Sequence, residues 1–134
     1  MGDRANFGFK QADGNIVFLY GHWAGYQMMN TFAHALKRVM EAGRVGDESY
    51  ATRIAISEIV GDSWKDDLGW GISVNYIGDN EHSVPVVEAP VVDWATATVK
   101  LYDYDWKARL LTNEKFAMPL NIFVEKFAKD LTLV

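Results

Sequence analysis

The stretch DGNIVFLYGHWAGYQMMNTFAHALKRVMEAG, residues 13–43, changes its hydrophobic period half-way, and that change decides the fold. Ile16–Tyr20 is a continuous apolar run of the length and type of a buried strand. From Tyr26 onward the apolar positions recur every three to four residues instead. Met29, Phe32, Leu36, Val39 and Met40 share one side of a helical wheel, and Asn30, His34, Lys37, Arg38 and Glu41 share the other. The spacing predicts an amphipathic helix over residues 26–42, ended by Gly43, with Arg38 and Arg44 complementing its last carbonyls. At the junction of strand and helix lies Gly21-His22-Trp23-Ala24-Gly25, two glycines bracketing two large polar-tipped rings.

Upstream, Phe7 and Phe9 alternate, and Asp13-Gly14-Asn15 supplies a turn in which Gly14 takes the positive φ that side chains resist. Residues 7–20 therefore read as a β-hairpin. Downstream, Asp47 reads as the N-cap of a second helix, with Tyr50, Ala51, Ile54, Ala55, Glu58 and Ile59 at helical spacing. The turn-rich GDSWKDDLGWG (61–71) leads into the alternating ISVNYI (72–77) and the polar loop GDNEHS (78–83). Two or three strands are expected next, with a turn at 93–97 between Val91-Val92 and Thr98–Tyr102. Pro85 and Pro90 favour sheet edges there. Tyr102, Tyr104 and Trp106 alternate with acids, as on a sheet face packed under a last helix or, alternatively, on an exposed strand covered in an oligomer interface. That helix starts at Leu120 or Asn121 after a short strand, with Phe123, Val124 and Phe127 facing inward. The order of elements predicts an α+β fold: one domain over 1–134, a mostly antiparallel sheet with two to three helices on one face.

Length and composition narrow the function classes. A chain of 134 residues, 49% hydrophobic and 23% charged, is long enough to bury one real core. Five Trp, six Tyr and seven Phe exceed what a core of this size needs, and such a surplus sits in pockets or interfaces. A net charge of −5 argues against DNA as a partner, because a DNA-binder needs basic density to displace counterions. The absence of Cys excludes disulfides, thiolate metal sites and thiol catalysis. MGDRANFGFK lacks the apolar centre of a signal peptide, and no apolar run reaches the ~18 residues of a membrane span. A soluble protein with no membrane partner is expected.

Three features are candidates for chemistry. Tyr20, His22, Trp23 and Tyr26 surround the strand-to-helix junction, where an aromatic platform beside exposed helix N–H groups suits a nucleotide. The alternative is that Trp23 caps the core and His22 bonds a nearby carbonyl, since no Gly-rich phosphate loop exists here. Asp79, Asn80, Glu81 and His82 combine carboxylate, amide and imidazole, suited to reading polar ligand edges or to acid–base work, or simply a solvated loop. Arg53 stands among apolar residues of the second helix, placed to hold a phosphate, to snorkel to the surface or to pair with an acid. Ser57 and Ser83 lack a nucleophile elbow, and HExxH is absent.

DRANFGFKQADGNIVFLYGHWAG (3–25), DESYATRIAISEIVG (47–61) and GWGISVNYIGDNEHSVPVV (69–87) resemble the recurring blocks of small proteins of unassigned activity encoded by tailed phages of actinobacteria. The resemblance runs from residue 3 to about residue 128. EAPVV (88–92) stands as an insertion before Asp93. The resemblance carries no catalytic residues, but its setting implies an accessory role in the host cytoplasm, such as countering host defence. The expected function is then a non-enzymatic protein, without cofactor or metal, that sequesters a small nucleotide-like ligand, with a homo-oligomer building the pocket. Tyr20, His22, Trp23 and Tyr26 would frame the base, Arg53 the phosphate, and Asn80, Glu81 and His82 the polar edges. A small metal-dependent hydrolase using Glu81, His82 and His22, and a protein–protein inhibitor or virion component, are the alternatives.

Overall fold

The computed structural model describes residues 2–88 and 97–128. Its elements run β1 (Ala5–Lys10), β2 (Ile16–Gly21), α1 (Met28–Glu41), α2 (Glu48–Val60), a short 3-10 helix (Gly61–Lys65), β3 (Trp70–Val74), β4 (Val84–Glu88), β5 (Thr98–Asp105), β6 (Leu110–Pro119) and α3 (Leu120–Phe127). The strands form one six-stranded sheet in the order β3-β2-β1-β4-β5-β6. Neighbours are antiparallel except β1 and β4, which pair in parallel through Gly8 with Val86 and Phe9 with Val87. The fold is α+β, as the change of period in residues 13–43 requires.

Alternation along β1 sorts the two faces. Ala5, Phe7 and Phe9 point to the side on which Leu19, Val87 and Val99 meet Phe32, Leu36 and Val39 of α1, Ala51 and Ala55 of α2, and Phe123 of α3. Phe32 is its hub, with ring centroids 5.4 Å from Phe7, 5.6 Å from Phe9 and 6.0 Å from Phe123. The second, smaller cluster holds Phe18, Ile77, Val84 and Val86 and contains no helical residue. All three helices therefore cover one face. The chain between β3 and β4 serves the other, with Ile77 buried in its cluster.

Local signals behave as their chemistry demands. Gly14 has φ 90°, and Asn15 N–H donates to Asp13 Oδ1 at 3.0 Å, closing the hairpin turn. Asp47 caps α2 by accepting from the Tyr50 N–H. α1 starts at Met28 after Gln27 in a left-handed conformation with no side-chain cap, and α3 begins at Leu120.

Several expectations are corrected. Met40 and Tyr50 are exposed, because the core takes Met28, Phe32, Ala33, Ala35, Leu36 and Val39 of α1 and Ala51, Thr52 and Ala55 of α2. His34 is not a solvated polar-face residue: its Nε2 is buried, with no hydrogen-bond partner among the described residues. Pro85 lies in an interior strand rather than at an edge. The parallel ladder with β1 begins only at Val86, so the absent Pro85 N–H falls before that ladder. Tyr102 and Tyr104 face away from α3, donating to Glu88 Oε2 (2.6 Å) and the Ile77 carbonyl (2.7 Å), and Trp106 lies beyond β5. The last strand, β6, has ten residues rather than a few. The expected turn at 93–97, the Val91-Val92 strand and Pro90 fall, apart from Ala97, outside the described residues. Among the described residues no helix is long and apolar enough to cross a membrane.

Candidate functional site

The junction between β2 and α1 is fixed by its backbone. His22 N–H donates to the Gly69 carbonyl (2.9 Å), its carbonyl accepts from Asp3 N–H (2.9 Å), and Gly25 N–H donates to the Asp3 carbonyl (2.8 Å). The glycines serve close approach here rather than unusual backbone angles. A side chain at Gly21 would meet the Trp70 ring and Ala24, and one at Gly25 would occupy the space of the Asp3 carboxylate and the His82 imidazole.

This frame gives the four junction residues different roles. The Tyr20 hydroxyl and His22 Nδ1 share a hydrogen bond of 2.8 Å, and the His22 ring meets Trp23 edge-to-face at 5.0 Å. Tyr20 sits opposite Asn6 and Gly71 on the face away from the helices, where burial raises its hydroxyl pKa. Trp23 and Tyr26 do the opposite of capping a core: they are 70% and 71% exposed. Both line a cleft of about 330 Å³ shared with Thr31 of α1, Ile59 of α2, Ser63 and Asp66 near the 3-10 helix, and Trp70 of β3. That volume falls in the range of small-molecule sites, as does a lining of aromatic walls with a few polar groups.

The loop residues go elsewhere. Arg4 Nη1 reaches Asp79 Oδ2 at 2.8 Å, while its Nε and backbone N–H both donate to Glu81 Oε1, at 3.1 and 2.9 Å. These bonds hold Glu81 down at about 2 and raise the Arg4 guanidinium above its ordinary value. Asn6 Nδ2 donates to the Asp79 carbonyl (2.7 Å) and Asn80 Oδ1 (3.1 Å), and His82 Nε2 lies 2.5 Å from Asp3 Oδ1. Asn80, Glu81 and His82 thus bind the N-terminal segment to the crossing between β3 and β4. Arg53 is exposed on α2 and donates to Ser57 Oγ one turn on, at 3.2 Å. Neither it nor the 79–82 loop lines the aromatic cleft. Among the described residues no three His, Asp or Glu side chains converge as a metal site needs, and His22, Glu81 and His82 have the separate partners given above.

Thr31, Ile59, Ser63, Asp66, Leu68, Gly69 and Trp70 line the cleft without having been singled out from the sequence. For those in the 61–71 stretch the signal is Trp and Leu side chains where turn residues otherwise dominate, GDSWKDDLGWG; Thr31 and Ile59, on α1 and α2, carry no such signal. A second recess of about 350 Å³ holds Lys10 and Lys100, but both ammonium groups already face Glu88, at 3.6 and 3.4 Å. No protein-family model, curated protein or solved structure matches this chain.

Proposed function

We propose that this is a non-enzymatic binding protein that takes the base of a small nucleotide-like ligand into the cleft between Trp23, Tyr26 and Trp70. One observation carries the reading: two aromatic side chains more than two-thirds exposed stand beside a cleft of ligand size. Exposing large apolar rings costs solvation unless something flat covers them, and stacking on a base contributes about 1–3 kcal/mol. The hydroxyls of Thr31 and Ser63 and the carboxylate of Asp66 supply acceptors and donors for base edges. Among the described residues no Lys or Arg lines the cleft, so recognition falls on the base and any phosphate is left at the rim. In the phage setting that the sequence blocks resemble, retention of such a ligand would sequester a nucleotide signal of the host.

Isothermal titration with AMP, GMP and a cyclic dinucleotide tests the proposal. Saturable binding to the native protein is expected, weakened roughly ten- to a hundredfold by Trp23→Ala. The ligand should be recovered unchanged, by mass spectrometry, from the denatured complex. Absence of saturable heat up to millimolar ligand, or recovery of a cleaved product, would overturn it.

A further inference from the structure

We infer that two copies of this chain join through the β3 edges, antiparallel, about a two-fold axis at Ile72. The inference rests on the hydrogen-bond phase of β3, whose Trp70 side chain also forms a wall of the ligand cleft. Its ladder with β2 is anchored by His22 N–H to the Gly69 carbonyl and Asn75 N–H to the Ile16 carbonyl. In the register that pairs Val17 with Val74 and Leu19 with Ile72, hydrogen-bonded and non-hydrogen-bonded pairs alternate. Gly69, Gly71, Ser73 and Asn75 therefore turn their backbone groups toward β2. Trp70, Ile72 and Val74 turn theirs to the open edge.

Those outward groups are self-complementary. With Ile72 opposite the second copy's Ile72, Trp70 falls opposite its Val74, and all three pairs are of the hydrogen-bonded kind. Each outward N–H then donates and each outward C=O accepts, with none left over, and the six-stranded sheets fuse into one. The side chains of Trp70, Ile72 and Val74 share a face, so the same pairing covers Ile72 and Val74, now 64% and 55% exposed.

Charge selects a second copy over a charged peptide. From Gly69 to Gly78 the chain has no ionisable side chain except the Tyr76 phenol, so pairing Trp70–Val74 with its copy sets no like charges directly opposite each other. The contrast with the other edge is the second argument. β6 carries Glu114, Lys115 and Pro119 and has register shifts against β5, the devices that keep edges from pairing. β3 has none of them. Of the twelve large apolar side chains exposed among the described residues, five belong to residues 64–76, and Ile72 and Val74 lie on the edge itself.

Light scattering and amide hydrogen exchange, both at ~100 µM protein, test the pairing. Expected is a mass of about 30 kDa, twice the 15.1 kDa chain, with the amides of Trp70, Ile72 and Val74 protected alongside those of Gly71 and Ser73. Ile72→Lys puts two ammonium groups together at the axis. It should return the mass to about 15 kDa and free only the three outward amides, with circular dichroism unchanged. Val74→Lys is the second variant should the first not fold. A monomeric native protein, or a dimer in which those three amides exchange freely, would overturn the inference.

Discussion

Trp23→Ala separates a ligand platform from a core plug, and the structure sets the size of the effect. A fully buried Trp hides up to ~150–250 Å² of surface. Trp23 is 70% exposed, so about three-tenths of that area, roughly 45–75 Å², is covered. At about 25 cal/mol per Å² its loss costs about 1–2 kcal/mol, against about 3–5 kcal/mol for truncating a buried aromatic. With about 2.1 cal/mol/K per residue for unfolding, a chain of 134 residues should melt about 4–7 °C lower. Phe32→Ala is the internal standard, because Phe32 is fully covered between Phe7, Phe9 and Phe123. It should lower the melting temperature by about 11–18 °C on the same scale. Both variants are compared with the native protein by calorimetric melting in one buffer. If Trp23→Ala costs as much as Phe32→Ala, the ring is a core element and the platform reasoning fails.

Three further outcomes follow from particular contacts. Gly25→Ala forces a methyl against the Asp3–His82 pair and should cost about 1–3 kcal/mol by thermal melting, although Gly25 lies outside the core. The Glu81 value of about 2 lies below its unfolded value of 4.5, so its stabilising contribution is complete above pH 4.5 and is lost as pH falls toward 2. Chemical denaturation from pH 6 to 2.5 should show a steeper loss for the native protein than for Glu81→Gln; parallel curves would refute the clamp. Leu36→Asp places a carboxylate at a fully covered position of α1 and should cost several kcal/mol or prevent folding, and a normal melting curve would show the face misassigned.

The sequence by itself determined whatever depends on neighbours along the chain. The period change in residues 13–43, the turn at Asp13-Gly14, the Asp47 cap and the start of α3 are all local, since turn angles, caps and helical spacing act within four residues. They suffice for an α+β fold. Tertiary structure alone decided what depends on distant partners: the parallel pairing of β1 with β4, the exposure of Met40 and Tyr50, and the interior place of Pro85. It also decided the site. Asn80, Glu81 and His82 read as chemistry because three polar groups adjoin, but their partners Asn6, Arg4 and Asp3 lie more than seventy residues away. Trp23 and Tyr26 acquire a cleft only because the crossing of β3 beside β2 brings Leu68 and Trp70 to them. A carboxylate or a ring has the same local signature whether a distant group satisfies it or leaves it to solvent. That distinction is made by packing across the sheet, which no local pattern records.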